Sequence, residues 1–224
     1  MIRVFIGHDS RMPALSSVLA HSINTHASQP VALTLLSLTQ LSAVFHRERN
    51  PLQSTEFYFS RFFAPYLCDY TGWAIFMDND MVALDDIAKL WELRDESYAV
   101  QVVKHDHKPT EATKFLGEKQ TAYEKKNWSS VMLFNNARCK ALTPEYVSTA
   151  SGLDLHQFKW LGSDSLIGEI PHRWNHLVGY DATNPDVSLA HYTLGGPYFK
   201  EYTDCEHAQD WRNARDEMLR VAQR

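Results

Sequence analysis

Positive charge is in short supply in this chain. Its 224 residues carry 22 Lys and Arg against 27 Asp and Glu, a formal net charge of −5. A general nucleic-acid binder shows a basic excess or stripe, so that class is set aside. A phosphate-bearing ligand would then need local help, from a metal, a helix N-terminus or a few placed cations. Cysteine is scarce too. Cys68, Cys139 and Cys205 are odd in number, far apart and without a CxxC pair. This argues against a disulfide framework or zinc knuckle and for reduced thiols in a cytosolic protein. Long apolar runs are missing, since no window approaches the roughly 18 residues of a membrane span. The N-terminus runs straight into strand-like residues and lacks the apolar region of a signal peptide. The expected location is cytoplasmic, with a peripheral place at a membrane left open. Neither GxxxxGK[ST] nor GxGxxG after the first strand occurs, which disfavours kinase, ATPase and dehydrogenase chemistry.

What remains is ordinary globular material. Hydrophobic residues make up 44% and charged residues 22%. That composition and length support a real core and one large domain, not disorder. Aromatics reach 12%, and their exposed share could line a ligand cleft.

The chain reads as α/β. Residues 2–6 are a short buried strand and 12–25 a helix, with Ser10 as N-cap and Pro13 in its first turn. Residues 31–38 form a second strand, so the order is βαβ and the sheet mostly parallel. A polar loop containing Asn50-Pro51 precedes a compact aromatic helix over 56–68. Strands are expected at 73–77, 98–103, 128–134 and 187–192. Helices are expected at 86–94, at 137–150 with an interruption at Pro144, and at 208–223. Residues 152–170 mix loop and helix. The charged stretch 104–126, with six Lys and three Glu, is a solvated helix and loop or else a mobile lid or acceptor surface.

The apolar strand 73–77 ends abruptly in Asp78-Asn79-Asp80. Two carboxylates at i and i+2, at a strand's C-terminal edge, can share a small volume where an open α/β sheet binds ligands. Carboxylate oxygens suit hard cations such as Mg2+ or Mn2+, and such an ion can bridge a diphosphate leaving group. Turn and cap residues are the other reading of the same triplet.

Several segments, in order, resemble glycosyltransferase family 8. Thr55-Glu56-Phe57-Tyr58-Phe59-Ser60-Arg61-Phe62-Phe63-Ala64-Pro65-Tyr66-Leu67 is similar to the family's T-x-x-x-[YF]-x-R-[LF]-x-x-P-x-L helix. The Trp73–Asp80 strand into DxD follows, then Asp86-Ile87 and Leu90-Trp91. Asn127-Trp128-Ser129-Ser130-Val131-Met132-Leu133-Phe134-Asn135 resembles the N-S-G-V-[ML]-[LV]-x-N strand. His191-Tyr192-Thr193-Leu194-Gly195-Gly196-Pro197-Tyr198 resembles the terminal histidine-glycine segment.

The resemblance implies a single GT-A domain with a Rossmann-like, mostly parallel mixed sheet flanked by helices. Its nucleotide-binding part would be about 1–100 and its acceptor-binding part about 101–224. The implied activity is metal-dependent transfer of a sugar from a nucleotide-sugar, commonly a UDP-sugar, to a glycan, lipid-linked or other hydroxyl acceptor, with retention. Asp78, Asp80 and His191 would hold Mn2+ or Mg2+. Ile6, Gly7, His8 and Asp9 would sit against the nucleobase and ribose, beside Phe57 and Asn79. Arg61 would pair with Asp9 or a donor phosphate; a surface ion pair is its other reading. Gly195 and Gly196 would let backbone approach the diphosphate, or serve simply as turn formers. The family's usual Lys six residues after the metal histidine is Pro197 here. Lys200, Arg11 or the metal alone would then handle that charge.

Asp164, within Gly162-Ser163-Asp164-Ser165, is the candidate catalytic carboxylate; its alternative is a helix N-cap. Lys104, His105 and Asp106, together with Trp128, Ser129, Ser130, Ser163 and Ser165, are candidates for donor-sugar or acceptor contacts. Lys104-His105-Asp106-His107 reads otherwise as a plain polar loop. Two other functions fit the same acids: a nucleotidyltransferase or phosphohydrolase, and a non-catalytic sugar-nucleotide binder.

Overall fold

The mostly apolar segment near the N-terminus, broken only by Arg3, meets no turn residue until Gly7, and it forms β1 (Ile2–Gly7). In the computed structural model, residues 1–48, 53–106, 113–114, 118–119 and 124–221 are described. Asn50-Pro51, His107 and much of the charged 104–126 stretch lie outside them. The remaining strands are β2 (Val31–Leu36), β3 (Trp73–Met77), β4 (Met81–Ala83), β5 (Val100–Val102), β6 (Thr113–Lys114), β7 (Glu118–Lys119), β8 (Val131–Asn135), β9 (Ile167–Glu169), β10 (His176–Leu177) and β11 (Leu189–His191). The helices are α1 (Pro13–His26), α2 (Ala64–Leu67), α3 (Ile87–Glu92), α4 (Pro144–Thr149), α5 (Gly152–His156) and α6 (Ala208–Met218).

A six-stranded sheet runs in the order β2-β1-β3-β8-β5-β9. Only β8 opposes its neighbours; β1 pairs in parallel with β2 and β3, and β5 with β9. Period-two alternation sorts these strands onto two core layers. Ile75, Met77, Val131 and Leu133 join Val4 and Ile6 on one face, under Leu19 and Ile23 of α1. Ala74, Phe76, Met132 and Phe134 join Phe5, Phe57, Phe62 and Phe63 on the other. A second sheet, β10-β11-β4, shares a third cluster with Leu15 and Val18 of α1 and Trp211 of α6.

Four local expectations are corrected. Residues 56–68 are not one helix: turns lead to a 3-10 turn at Ser60–Phe63, and only α2 is α-helical. Pro65 has no N–H to donate to the carbonyl of Arg61, so a regular helix can start here but not run through. Pro144 opens α4 for the same reason, with Thr143 as N-cap accepting from the Tyr146 amide. Residues 128–130 form a 3-10 turn after Asn127, whose φ of +65° breaks the extended run, so the strand starts at Val131. Ser10 does not cap α1. Its amide and hydroxyl both donate to the Glu56 carboxylate, at 2.9 and 2.7 Å, and Met12 occupies the N-cap without a side-chain bond.

Candidate active site

The acids that end β3 are drawn together with a histidine by strand pairing. Asp78 continues β3, its amide donating to the Ser130 carbonyl at 2.9 Å. Asp80 precedes β4, and β4 pairs antiparallel with β11 in a register that sets Met81 opposite His191. The amide of Tyr192 donates to the Asp80 carbonyl at 2.9 Å, and His191 Nε2 lies 3.3 Å from Asp80 Oδ1. One ligand atom each from Asp78, Asp80 and His191 fall within 4.8 Å of one another.

Neighbouring side chains hold these groups in place. Arg61, from the 3-10 turn before α2, is buried. It pairs with Asp78 Oδ1 at 2.8 Å and donates to the Ser129 carbonyl at 2.9 Å. The expected Arg61–Asp9 pair is therefore replaced by Arg61–Asp78. His191 Nδ1 is 2.8 Å from Asn175 Oδ1, and Asn175 donates to Ser130 Oγ at 2.9 Å. With Nδ1 bonded to the amide oxygen, Nε2 is the nitrogen turned toward the acids. Burial pushes the His191 pKa down, but the Asp80 and Asp78 carboxylates outweigh it and hold the ring above the ordinary histidine value.

The cleft containing this trio is lined also by Ser54, Thr55, Phe57, Tyr58, Lys126, Asn127, Ser129, Ser130, His156 and Thr193. Phe57 forms part of its wall by lying against Gly7, where a Cβ would come within 2.4 Å of the ring. Glycine is thus required by that close approach. Thr55 Oγ1 and Asn127 Nδ2 are buried without a hydrogen-bond partner in the protein. Such groups each cost about 1–3 kcal/mol unless a ligand completes them. Two carboxylates and an imidazole, with ligand atoms within 4.8 Å of one another, form a donor set that fits a Mn2+ or Mg2+ ion.

Other expected residues lie elsewhere. Asp9 is buried and taken up by Arg11, with Nη2 at 2.6 Å and Nε at 2.8 Å, and by the Glu56 amide at 3.3 Å. Arg11 also donates to the Ser54 carbonyl, so its charge is already matched. His8 bonds Ser16. Ile6 and Asn79 are buried, and neither lines the cleft. The space a Cβ would take at Gly195 and Gly196 is filled by Tyr202 and Tyr198, and the φ of Gly195 is +143°. Lys200 is exposed in a 3-10 turn. The Asp164 side chain is 72% exposed, pairs with Lys125 and stands outside the cleft lining, with Ser163 rather than Asp164 as the local cap. Ser165, like Ser163, is on the surface. His105 is buried and its carbonyl accepts from Trp128 Nε1; Lys104 lies over the Trp128 ring, and Asp106 is exposed.

Sequence reasoning missed Tyr58, Lys126, Asn127, His156, Asn175 and Thr193. His156 bonds Ser129 Oγ at 2.7 Å. Lys126 is 5% exposed, an unusual setting for a lysine. Nothing in a charged stretch distinguishes a lysine that is buried, although Asn127 opens the segment that resembles the family's N-S-G-V strand.

Among the described residues, no helix is long and apolar enough to cross a membrane. The glycosyl transferase family 8 model matches residues 8–150. Protein CDI of Arabidopsis thaliana is 44% identical over 226 residues, spanning 96% of this chain and 86% of that protein. The glycosyltransferase GlyE of Streptococcus pneumoniae superposes with a TM-score of 0.63 at 13% identity, covering 99% of this chain and 62% of its own. This chain therefore spans less than two thirds of GlyE. The galactosyltransferase LgtC, solved with donor and acceptor sugar analogues, gives 0.60 at 14% identity, with 99% and 98% coverage. These structures share the GT-A arrangement of a largely parallel sheet flanked by helices. By its match over most of its length, the chain belongs to glycosyl transferase family 8.

Proposed function

We propose that the chain is a metal-dependent glycosyltransferase that moves a sugar from a nucleotide-sugar, a UDP-sugar by preference, to a hydroxyl acceptor with retention. The observation that carries this reading is the convergence of Asp78, Asp80 and His191 in a cleft with orphaned polar atoms. Residues 1–100 would form the nucleotide half and 101–224 the acceptor half. Mn2+ or Mg2+ held by the three residues would supply Lewis-acid neutralisation of the departing diphosphate. Arg61 orients Asp78, and Asn175 fixes the tautomer and aim of His191. Lys126, buried and part of the cleft lining, is the candidate for the phosphate-facing role for which Pro197 has no cation. Buried surroundings strengthen its attraction for a diphosphate relative to a surface lysine. Phe57 and Tyr58 offer apolar walls, and Thr55 and Asn127 offer hydrogen bonds to the donor. Asp164, on the surface beside Lys125, keeps a proposed role only toward the acceptor.

Thermal shift with UDP plus MnCl2, against MnCl2 alone, tests the reading. At a ligand concentration 100 times Kd the stabilisation is about 2.7 kcal/mol. Asp80→Asn should remove that UDP-dependent shift and donor turnover while the apo protein stays folded. No UDP-dependent shift in the parent chain would sink the proposal. Lys126→Ala should raise the donor KM by about tenfold to a hundredfold, the loss of one charge-assisted bond of about 1.5–3 kcal/mol. An unchanged KM would remove Lys126 from the phosphate role. Analysing the product anomer of a nucleotide-sugar panel separates retention from inversion.

A further inference from the structure

A second cluster of metal-ligating side chains lies outside the catalytic cleft, where β10 meets the start of α6. His176 Nε2 is 2.9 Å from Glu206 Oε2, and Glu206 Oε1 is 3.8 Å from His207 Nε2. One ligand atom from each of the three residues falls within 4.8 Å of the other two. His176 is fully enclosed, its side chain 2% exposed. None of the three lines the cleft of Asp78, Asp80 and His191.

The surroundings of His207 add to this picture. Its Nδ1 is 2.9 Å from Asp210 Oδ2. A carboxylate only accepts, so Nδ1 carries a proton there, and Nε2 is the ring nitrogen turned toward Glu206. It faces Glu206 Oε1. Both atoms are buried and neither has a hydrogen-bond partner. At 3.8 Å they are too far apart for a hydrogen bond. A cation held between them would give both atoms a partner.

We infer that His176, Glu206 and His207 form a second metal site, of the Zn2+ class. Two imidazoles and one carboxylate are a zinc donor set, whereas the acid-rich catalytic trio suits harder ions. Neighbouring ligand atoms around a tetrahedral Zn2+ with bonds near 2.1 Å stand about 3.4 Å apart. The 2.9 and 3.8 Å spacings bracket that value. His207 also has a carboxylate behind it: Asp210 Oδ2 lies 2.9 Å from Nδ1. Such outer carboxylates orient zinc-binding imidazoles and raise their basicity.

The placement states what the ion would do. His176 lies on β10, whose partner strand β11 ends at the catalytic His191. Glu206 and His207 immediately precede α6. An ion joining them would tie the C-terminal helix to the small sheet and hold the intervening 193–205 segment at both ends. The role is therefore a structural clip that steadies one side of the catalytic cleft.

The test uses the full chain stripped with a chelator, then titrated with ZnCl2 in the presence of excess MnCl2 to occupy the acid-rich trio. Bound zinc is read by elemental analysis after gel filtration, affinity by calorimetry, and folding by circular dichroism. One zinc per chain is expected, with a rise in Tm. Glu206→Gln and His207→Asn should each lower zinc affinity at least about tenfold and remove the Tm rise; asparagine tolerates the φ of +58° at position 207. Asp210→Asn should weaken binding by about tenfold to a hundredfold. Asp80→Asn should leave it intact. Absence of bound zinc, undiminished binding in folded Glu206→Gln and His207→Asn, or loss of binding in folded Asp80→Asn each overturns the assignment.

Discussion

Asp9 is an expected ligand contact whose carboxylate is held by protein groups beside the cleft. Its carboxylate is shared between the Arg11 guanidinium and the Glu56 amide, and Arg11 reaches on to the Ser54 carbonyl. This tie sets the 54–56 loop, of which Ser54 and Thr55 line the cleft. Burial raises the Asp9 pKa, but the bonds and charge from Arg11 outweigh it and hold the carboxyl below its ordinary 3.8. A lowered folded pKa means stability that is complete above the unfolded value and lost as pH falls through it toward the folded one. Asp9→Asn should therefore cost about 2 kcal/mol at pH 7 by urea denaturation. The gap to the parent should close progressively below about pH 4. A gap that stays constant down to pH 2.5 would contradict this account.

At the scale of elements, the register of short strands matters more than their length. β4 and β11 have three residues each, yet their antiparallel pairing alone sets His191 beside Asp80. β8 opposes β3 and β5 and brings Ser129 and Ser130 to the cleft, just before its first residue. Helix caps are local and separable from this. Thr143→Ala removes the bond to the Tyr146 amide and should lower stability by about 1 kcal/mol, while donor KM stays unchanged. A parallel change in KM would show that α4 reaches the site.

At the scale of the molecule, α1 joins the two sheets: Leu19 and Ile23 serve the large one, Leu15 and Val18 the small one. α6 closes the small sheet through Trp211, whose ring packs 5.3 Å from Tyr198. Trp211→Ala should cost about 3–5 kcal/mol and lower Tm by about 10 °C. Calorimetry checks this. A shift under 2 °C would mean that α6 adds little to the folded state. Under the proposed function, a divalent cation held by the acids at 78 and 80 would cancel their charge and offer a Lewis acid to a diphosphate, so the net −5 does not by itself tell against that ligand.

The sequence by itself determined the βαβ start, the central strands, the break at Asp78-Asn79-Asp80 and the family. Those features are written in short-range periodicity and in motif order, which burial reads directly. It located Arg61 but not its partner, and it set Asp164 by analogy at a place that is open surface. It passed over Lys126, His156, Asn175 and the His176–Glu206–His207 cluster. Only the tertiary structure decided these. They depend on which distant strands pair and which faces bury together, so a lysine in a charged run and two unremarkable histidines acquire chemistry only once the sheets are packed.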